Sequence, residues 1–177
     1  MARADEVIGR GHAERLVPML DELLAGRQVT QILVGVGPGS FTGIRVAIAA
    51  AQGLAIGWDA ELAGMSSLAL LAIGSAPSGQ VAAAVLGGHG ELFVQSFVDG
   101  TATTDLVNAT PATAAAMTTS ALVVGSGARA LVDARGWGEA RDALPSAADA
   151  LSLPTALRTL APKPVYARAP DAKAKAA

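Results

Sequence analysis

The sequence predicts an α/β protein of two lobes, and three observations carry that prediction. Short β-branched runs bounded by glycine alternate with longer apolar stretches of helical period. At SAPSGQ, near residues 76–80, the texture changes, and the runs that follow alternate with a period of two. The 177 residues are 51% apolar, enough to bury a core without cross-links. The first lobe is expected over residues 1–78, the second over 79–168, and a flexible tail over 169–177.

Residues 4–8 read as a short extended start. In GHAERLVPMLDELLAG, Leu16, Met19, Leu20, Leu23 and Leu24 fall at helical spacings and Gly26 supplies the stop. Pro18 lies inside that pattern and lacks a backbone donor, which predicts a bend or a late start. QILVGVG reads as a buried strand. The glycine loop of Gly37, Pro38, Gly39, Ser40, Phe41, Thr42 and Gly43 follows, and Thr42 is expected to cap a second helix that ends near Ile56. Ser66 or Ser67 caps a third helix, SSLALLAIG, so the first lobe reads as strand and helix three times over. In the second lobe VAAAVL, GGHG and ELFVQSFV form a hairpin: Leu92, Val94, Ser96 and Val98 alternate with Phe93, Gln95 and Phe97. Thr110 caps a short helix with Pro111 at its first position. ALVVGSG is another buried strand, and SLPTALRTLA a late amphipathic helix.

Composition narrows the function. With no cysteine, disulfides and thiolate metal sites are excluded, and the cytoplasm is the default compartment. Thirteen basic against 15 acidic residues, net −2, give no general attraction to nucleic acid or to an anionic membrane. Residues 46–58, the longest low-charge stretch, are too few and too glycine-rich for a membrane span. From Arg158 onward five basic residues (Arg158, Lys163, Arg168, Lys173, Lys175) face one acid, Asp171, and read either as a solvated tail or as a hold on RNA phosphates.

The glycine loop has two readings. A strand-to-helix turn rich in glycine can cradle a phosphate, but the Walker spacing is absent, no lysine precedes Lys163, and GPGSFTG is out of register with a dinucleotide fingerprint. The other reading is a tight turn that lets helix and strand pack closely. The helix after it has apolar or small residues all round: Arg45, Ile48, Ala49, Gln52 and Ile56 on one side, Ala47, Ala50, Ala51 and Leu54 on the other. One side covers the sheet. The other is covered by the first helix or by a partner protein.

GHAERLVPMLDELL, GVGPGSFTGIRVAIAAAQGLA, GMSSLALLA, GELFVQSF and PVYARAPDAK together resemble the bacterial TsaB family, also called YeaZ, from about Gly9 to Lys173. The resemblance implies the two-lobed actin-like ATPase (ASKHA) fold and a part in forming threonylcarbamoyladenosine beside the anticodon of tRNA. It implies a subunit without catalytic residues that docks on TsaD, the catalytic paralogue, while TsaC makes the adenylate and TsaE is the ATPase that joins the complex. The tRNA is reached through that complex, and ATP and a metal belong to the assembly rather than to this chain. The implied interface is Leu16, Met19, Leu20, Leu23, Arg45, Ile48, Ala49 and Gln52, with the glycine loop as its hinge to the sheet; some members pair with themselves through the same face. TsaD-like enzymes carry two histidines four apart on the first helix, whereas His12 is followed here by Leu16, so no metal pair is expected. Typical members open with an Asp-Thr strand and a second strand that this sequence lacks. The first lobe is therefore expected without its initial strands, as from a late start or a shortened chain, with one edge of the 31–36 strand open. Leu86 and Gly87 stand where the family has an Asp-Ala pair. Two other classes remain beside the scaffold: a nucleotide-binding enzyme of the actin-like ATPase class, and a self-associating structural protein.

Overall fold

The computed structural model describes residues 2–8 and 11–167; Arg168 and the tail at 169–177, with its Lys173 and Lys175, lie outside them. Residues 4–8 form no strand. Helix α1, His12–Leu24, runs through Pro18 without a late start. Both Pro18 and Glu14, whose carbonyl loses its donor, are exposed, so water can satisfy what the proline removes. The helix closes at Ala25, in left-handed conformation (φ 48°), one residue before the expected Gly26.

A βαβ unit follows. Strand β1 (Gln31–Gly35) pairs in parallel with β2 (Glu61–Met65), in register from Gln31 opposite Glu61 to Gly35 opposite Met65. The crossover is α2, Phe41–Trp58. It begins earlier than expected because Ser40, not Thr42, is the cap: Gly43 N–H donates to Ser40 Oγ at 3.2 Å. Val34 and Val36 pack against Ile48 and Ala51, with Ile44 and Ala47 at the margin. Among the described residues β1 has one paired neighbour, β2.

Helix α3, Ser67–Ser75, has the expected Ser66 cap, its Oγ accepting from Ala69 N–H at 3.2 Å. It is buried continuously from Leu68 to Ala72 because it packs on the second sheet, not only on its own lobe. In that sheet the predicted hairpin forms from β3 (Gln80–Leu86) and β4 (Leu92–Val98), antiparallel in register from Gln80 opposite Val98 to Leu86 opposite Leu92. With β5 (Thr101–Ala102), β6 (Val107–Ala109), β7 (Leu122–Val124) and β8 (Glu139–Arg141), the order is β5-β4-β3-β7-β8, β6 pairing β4. Val81, Ala83, Phe97 and Val124 face α3. Ala82, Ala84, Leu92, Val94 and Val123 face α4 (Pro111–Met117) and α5 (Ala128–Arg135), through Ala114, Ala128 and Leu131. Thr110 and Pro111 start α4 as the sequence predicts.

The late helix is shorter than its pattern. Of SLPTALRTLA, residues 152–161, only one turn after Pro154 is α-helical, α6 (Thr155–Arg158), and a 3₁₀ stretch, Ala147–Ser152, precedes it. The chain then returns to the first sheet, where Gly64 and Leu160 form an antiparallel bridge. The two sheets fall on either side of residues 76–80, but packing crosses that line twice, through α3 and through this returning segment.

Candidate partner-docking surface

The glycine loop sets the geometry of α2. Val36 N–H donates to Met65 O, and Ser67 N–H donates to Gly37 O, both at 3.0 Å, which pins the loop to the start of α3. The Gly37–Pro38 peptide is cis, and Gly37 sits at φ 101°. A Cβ on Gly37 would lie 2.7 Å from Ile44 Cδ1, so this corner tolerates only glycine while Ile44 is seated on the sheet. Gly37 and Pro38 are buried, Gly43 is half-buried, and Gly39, Ser40, Phe41 and Thr42 are exposed. The arrangement is a tight turn that turns α2 back onto β1.

What α1 and α2 cover is less than their composition would allow. No residue of α1 is buried: Leu16, Met19, Leu20, Leu23 and Leu24 are half-buried, and Val17 is 62% exposed. Of the 18 residues of α2 only Ile48 and Ala51 are buried. Ile48 therefore faces β1 and is withdrawn from the exposed face on which the sequence reading placed it. Its phase follows from Ile44, Ala47, Ile48 and Ala51 lying at i, i+3, i+4 and i+7, the spacing of one helix face. The outward stripe is Phe41, Arg45, Ala49, Gln52 and Ile56, with Phe41 59% and Ile56 85% exposed. His12 Cδ2 would lie 3.7 Å from a Cβ on Gly43, which places the start of α1 beside the start of α2. The outward stripe of α2 is apolar or small but for Arg45 and Gln52, and α1, beside it in one layer, half-buries its leucines while Glu14, Asp21 and Glu22 stay exposed.

Electrostatics at this layer are local. Arg15 Nε donates to Glu6 Oε2 at 2.6 Å, and that hydrogen bond raises the Arg15 pKa above its ordinary value. Arg45 stacks on Phe41, its guanidinium carbon 3.6 Å from the ring centroid, and its Nε donates to the Tyr166 hydroxyl at 2.9 Å. Sequence reasoning missed this three-residue cluster, because no local pattern pairs positions so far apart. Among the described residues no three histidine, aspartate or glutamate side chains gather to hold a metal ion. Because it starts at Phe41, α2 is long and apolar enough to cross a bilayer by length and composition, unlike the shorter 46–58 stretch weighed from sequence. Its inner face, however, is committed to β1.

Residues 5–121 match the family model described as TsaD, tRNA N6-adenosine threonylcarbamoyltransferase. Two curated relatives are both named tRNA threonylcarbamoyladenosine biosynthesis protein TsaB. The Haemophilus influenzae protein is 44% identical over 73 residues, 38% of this chain and 31% of the relative. The Escherichia coli protein is 41% identical over 75 residues, 40% of this chain and 32% of the relative. Each match thus spans about a third of the relative's length. Solved structures match over far more. YeaZ from Pseudomonas aeruginosa is 32% identical with a TM-score of 0.74, over 91% of this chain and 86% of that one. A second Pseudomonas aeruginosa structure, described as an uncharacterized protein with similarity to peptidase YeaZ, is 31% identical with a TM-score of 0.75, over 92% and 87%. The fold is therefore shared along nearly the whole chain, and the chain belongs to the TsaB/YeaZ family, with its actin-like fold.

Proposed function

We propose that this chain is a non-catalytic subunit of the tRNA threonylcarbamoyl-transfer complex, in which the layer formed by α1 and α2 docks on a TsaD-like catalytic paralogue. The observation that carries the reading is how little of those helices is buried: the amphipathic α1 and the apolar α2, adjacent in space, keep between them only Ile48 and Ala51 buried. Val17, Phe41 and Ile56 are the large apolar side chains that these helices leave exposed, and grouped exposed apolar side chains mark sites of protein–protein contact. Small outward residues, Ala49 and Gly53, permit close approach of a partner helix. The names carried by the curated relatives support the pathway, threonylcarbamoyladenosine formation in tRNA. A TsaE-like ATPase joins the assembly, and tRNA, ATP and metal are handled there, in the cytoplasm. The same face accounts for self-pairing when the partner is missing.

Ala49→Arg tests this. Ala49 is exposed in the free chain, and arginine is nearly as good a helix former as alanine, so folding is expected to survive. In a closed helix contact the guanidinium is buried without a partner, at a cost of roughly 3–5 kcal/mol, so affinity for the TsaD-like protein falls by at least about a hundredfold. Unchanged affinity by titration calorimetry would sink the assigned face. Recovery of only the chain itself in a pull-down would favour the self-associating structural reading, and ATP turnover by the purified chain alone would favour the nucleotide-binding enzyme.

A further inference from the structure

Residues 157–166 lie beyond the helices that form the docking surface, yet they follow a defined course. Ser66 N–H donates to Leu157 O at 3.0 Å, Gly64 and Leu160 exchange N–H···O bonds of 2.7 and 3.0 Å, and Val165 N–H donates to Val36 O at 2.9 Å. Residues 157–166 thus lie as a strap across the first sheet. The strap delivers Tyr166, the chain's single tyrosine, to the first turn of α2. There its hydroxyl accepts from Arg45 Nε at 2.9 Å, its ring centroid lies 5.6 Å from the guanidinium carbon, and its ring sits 6.0 Å from that of Phe41.

Arg45 is the one charged residue of α2 and stands in the middle of its outward stripe. Residues four apart are neighbours on a helix, so its side chain has two places to lie: toward Phe41 in the preceding turn or toward Ala49 in the next. Helical side chains lean toward the N-terminus, which favours Phe41, but a long flexible arginine visits both unless something holds it. The stack on Phe41 and the bond to Tyr166 do so. Held there, the guanidinium stays clear of Ala49 and Gly53, the small residues that a close helix contact needs. We propose that Tyr166 is a positioning residue: carried in by the strap, it parks Arg45 over Phe41 and so keeps the α2 docking stripe open to the partner. This rests on the docking reading given above, with the TsaD-like paralogue as occupant.

The test is a double-mutant cycle in the full chain: wild type, Tyr166→Phe, Arg45→Ala and the double variant, with affinity for the TsaD-like paralogue measured by calorimetry and folding by thermal melting. Phenylalanine keeps the ring and removes only the hydroxyl. The Tyr166→Phe chain is expected to stay folded, with Tm lower by no more than a few degrees, and to bind about three- to tenfold more weakly, the range for one partly exposed charged hydrogen bond. In the Arg45→Ala background the same change has no further effect, because nothing is left to park. Exchange of the Arg45 Nε proton, followed by NMR without any partner, speeds up in Tyr166→Phe. Equal weakening in both backgrounds, unaltered affinity of Tyr166→Phe, or unaltered proton exchange each overturns the proposal. Failure of the docking reading is distinguished by Ala49→Arg: wild-type binding by that variant overturns the face itself, whereas loss of binding there with a failed cycle overturns only the role of Tyr166.

Discussion

Replacing Gly64 with alanine tests whether the returning strap holds the first lobe together. Gly64 lies in β2 beside Leu160, and both of the bridge's hydrogen bonds pass through its backbone. A Cβ there would sit 2.6 Å from Val36 Cγ1, 2.8 Å from Ala161 O and 3.1 Å from Leu160 O. Val36 is fully buried in β1's cluster and cannot swing away, and the two oxygens are backbone, so the strap itself has to move. Overpacking of this kind costs ~1–3 kcal/mol. Weakening of the two bridge bonds adds ~0.5–1.5 kcal/mol each. Alanine also narrows the unfolded ensemble, worth ~0.4–1 kcal/mol in the other direction, since no left-handed φ is required at Gly64. The balance is a loss of ~1–5.5 kcal/mol. In a chain of this size that lowers Tm by roughly 2–4 °C per kcal/mol. Calorimetric melting reads the shift, and hydrogen exchange at 157–166 localises it. A variant that melts at or above the wild-type temperature, with the strap amides still protected, would refute the reasoning.

The other expectations concern local devices. Ser66→Ala removes the hydroxyl that accepts from Ala69 N–H at the head of a buried helix; it should lower the urea midpoint by the equivalent of ~1 kcal/mol, with Ser66→Asp recovering part of it. Arg135 donates to the carbonyls of Trp137, Thr118 and Ala121 at 2.8, 3.3 and 3.1 Å, and stacks 3.8 Å from the Trp137 ring centroid. A lysine cannot span that fork, so Arg135→Lys should cost ~1–2 kcal/mol and alter Trp137 fluorescence; an unchanged denaturation curve would show the fork to be idle.

Much of the fold was legible because its signals are local. Ser66 before SLALLA, Thr110 with Pro111, the GGHG turn and the short β-branched runs each announce an element within a few residues. The GPGSFTG corner was legible as a tight turn, but its cap was not: Ser40 and Thr42 are both good caps two residues apart, and only the loop's course decides between them. Ile48 was misplaced for a different reason. A helix with one charge and almost no polar contrast has no phase that can be read from periodicity, and the sheet alone picks out Ile44, Ala47, Ile48 and Ala51 as its inner face. SLPTALRTLA carries helical spacing, yet Pro154 and the pull of Leu157 and Leu160 toward the two cores shorten it to a turn. The strap and its tyrosine were out of reach altogether, since the pairing of Leu160 with Gly64 and of Tyr166 with Arg45 is made by the finished fold and by no neighbour in sequence.

The centre of the second sheet has an uncommon tolerance. Ala82, Ala83 and Ala84 of β3 have no exposure, and a Cβ on Gly125 would run into the carbonyl oxygen of Ala84, while one on Gly127 would come within 2.9 Å of Leu92 Cδ2. Side chains this small contribute little apolar area each, yet trimming one to glycine still loosens the strand, by ~0.5–1 kcal/mol of backbone freedom. Enlarging one has nowhere to go, because layers on both faces are already closed over the strand. The middle of this lobe is thus a spacer with a volume ceiling, and its cohesion comes from the larger residues set around it, Leu68, Leu71, Leu92, Phe97 and Leu131. What Ala82, Ala83 and Ala84 set is the thickness of the lobe, and a larger side chain at any of them forces the two layers apart.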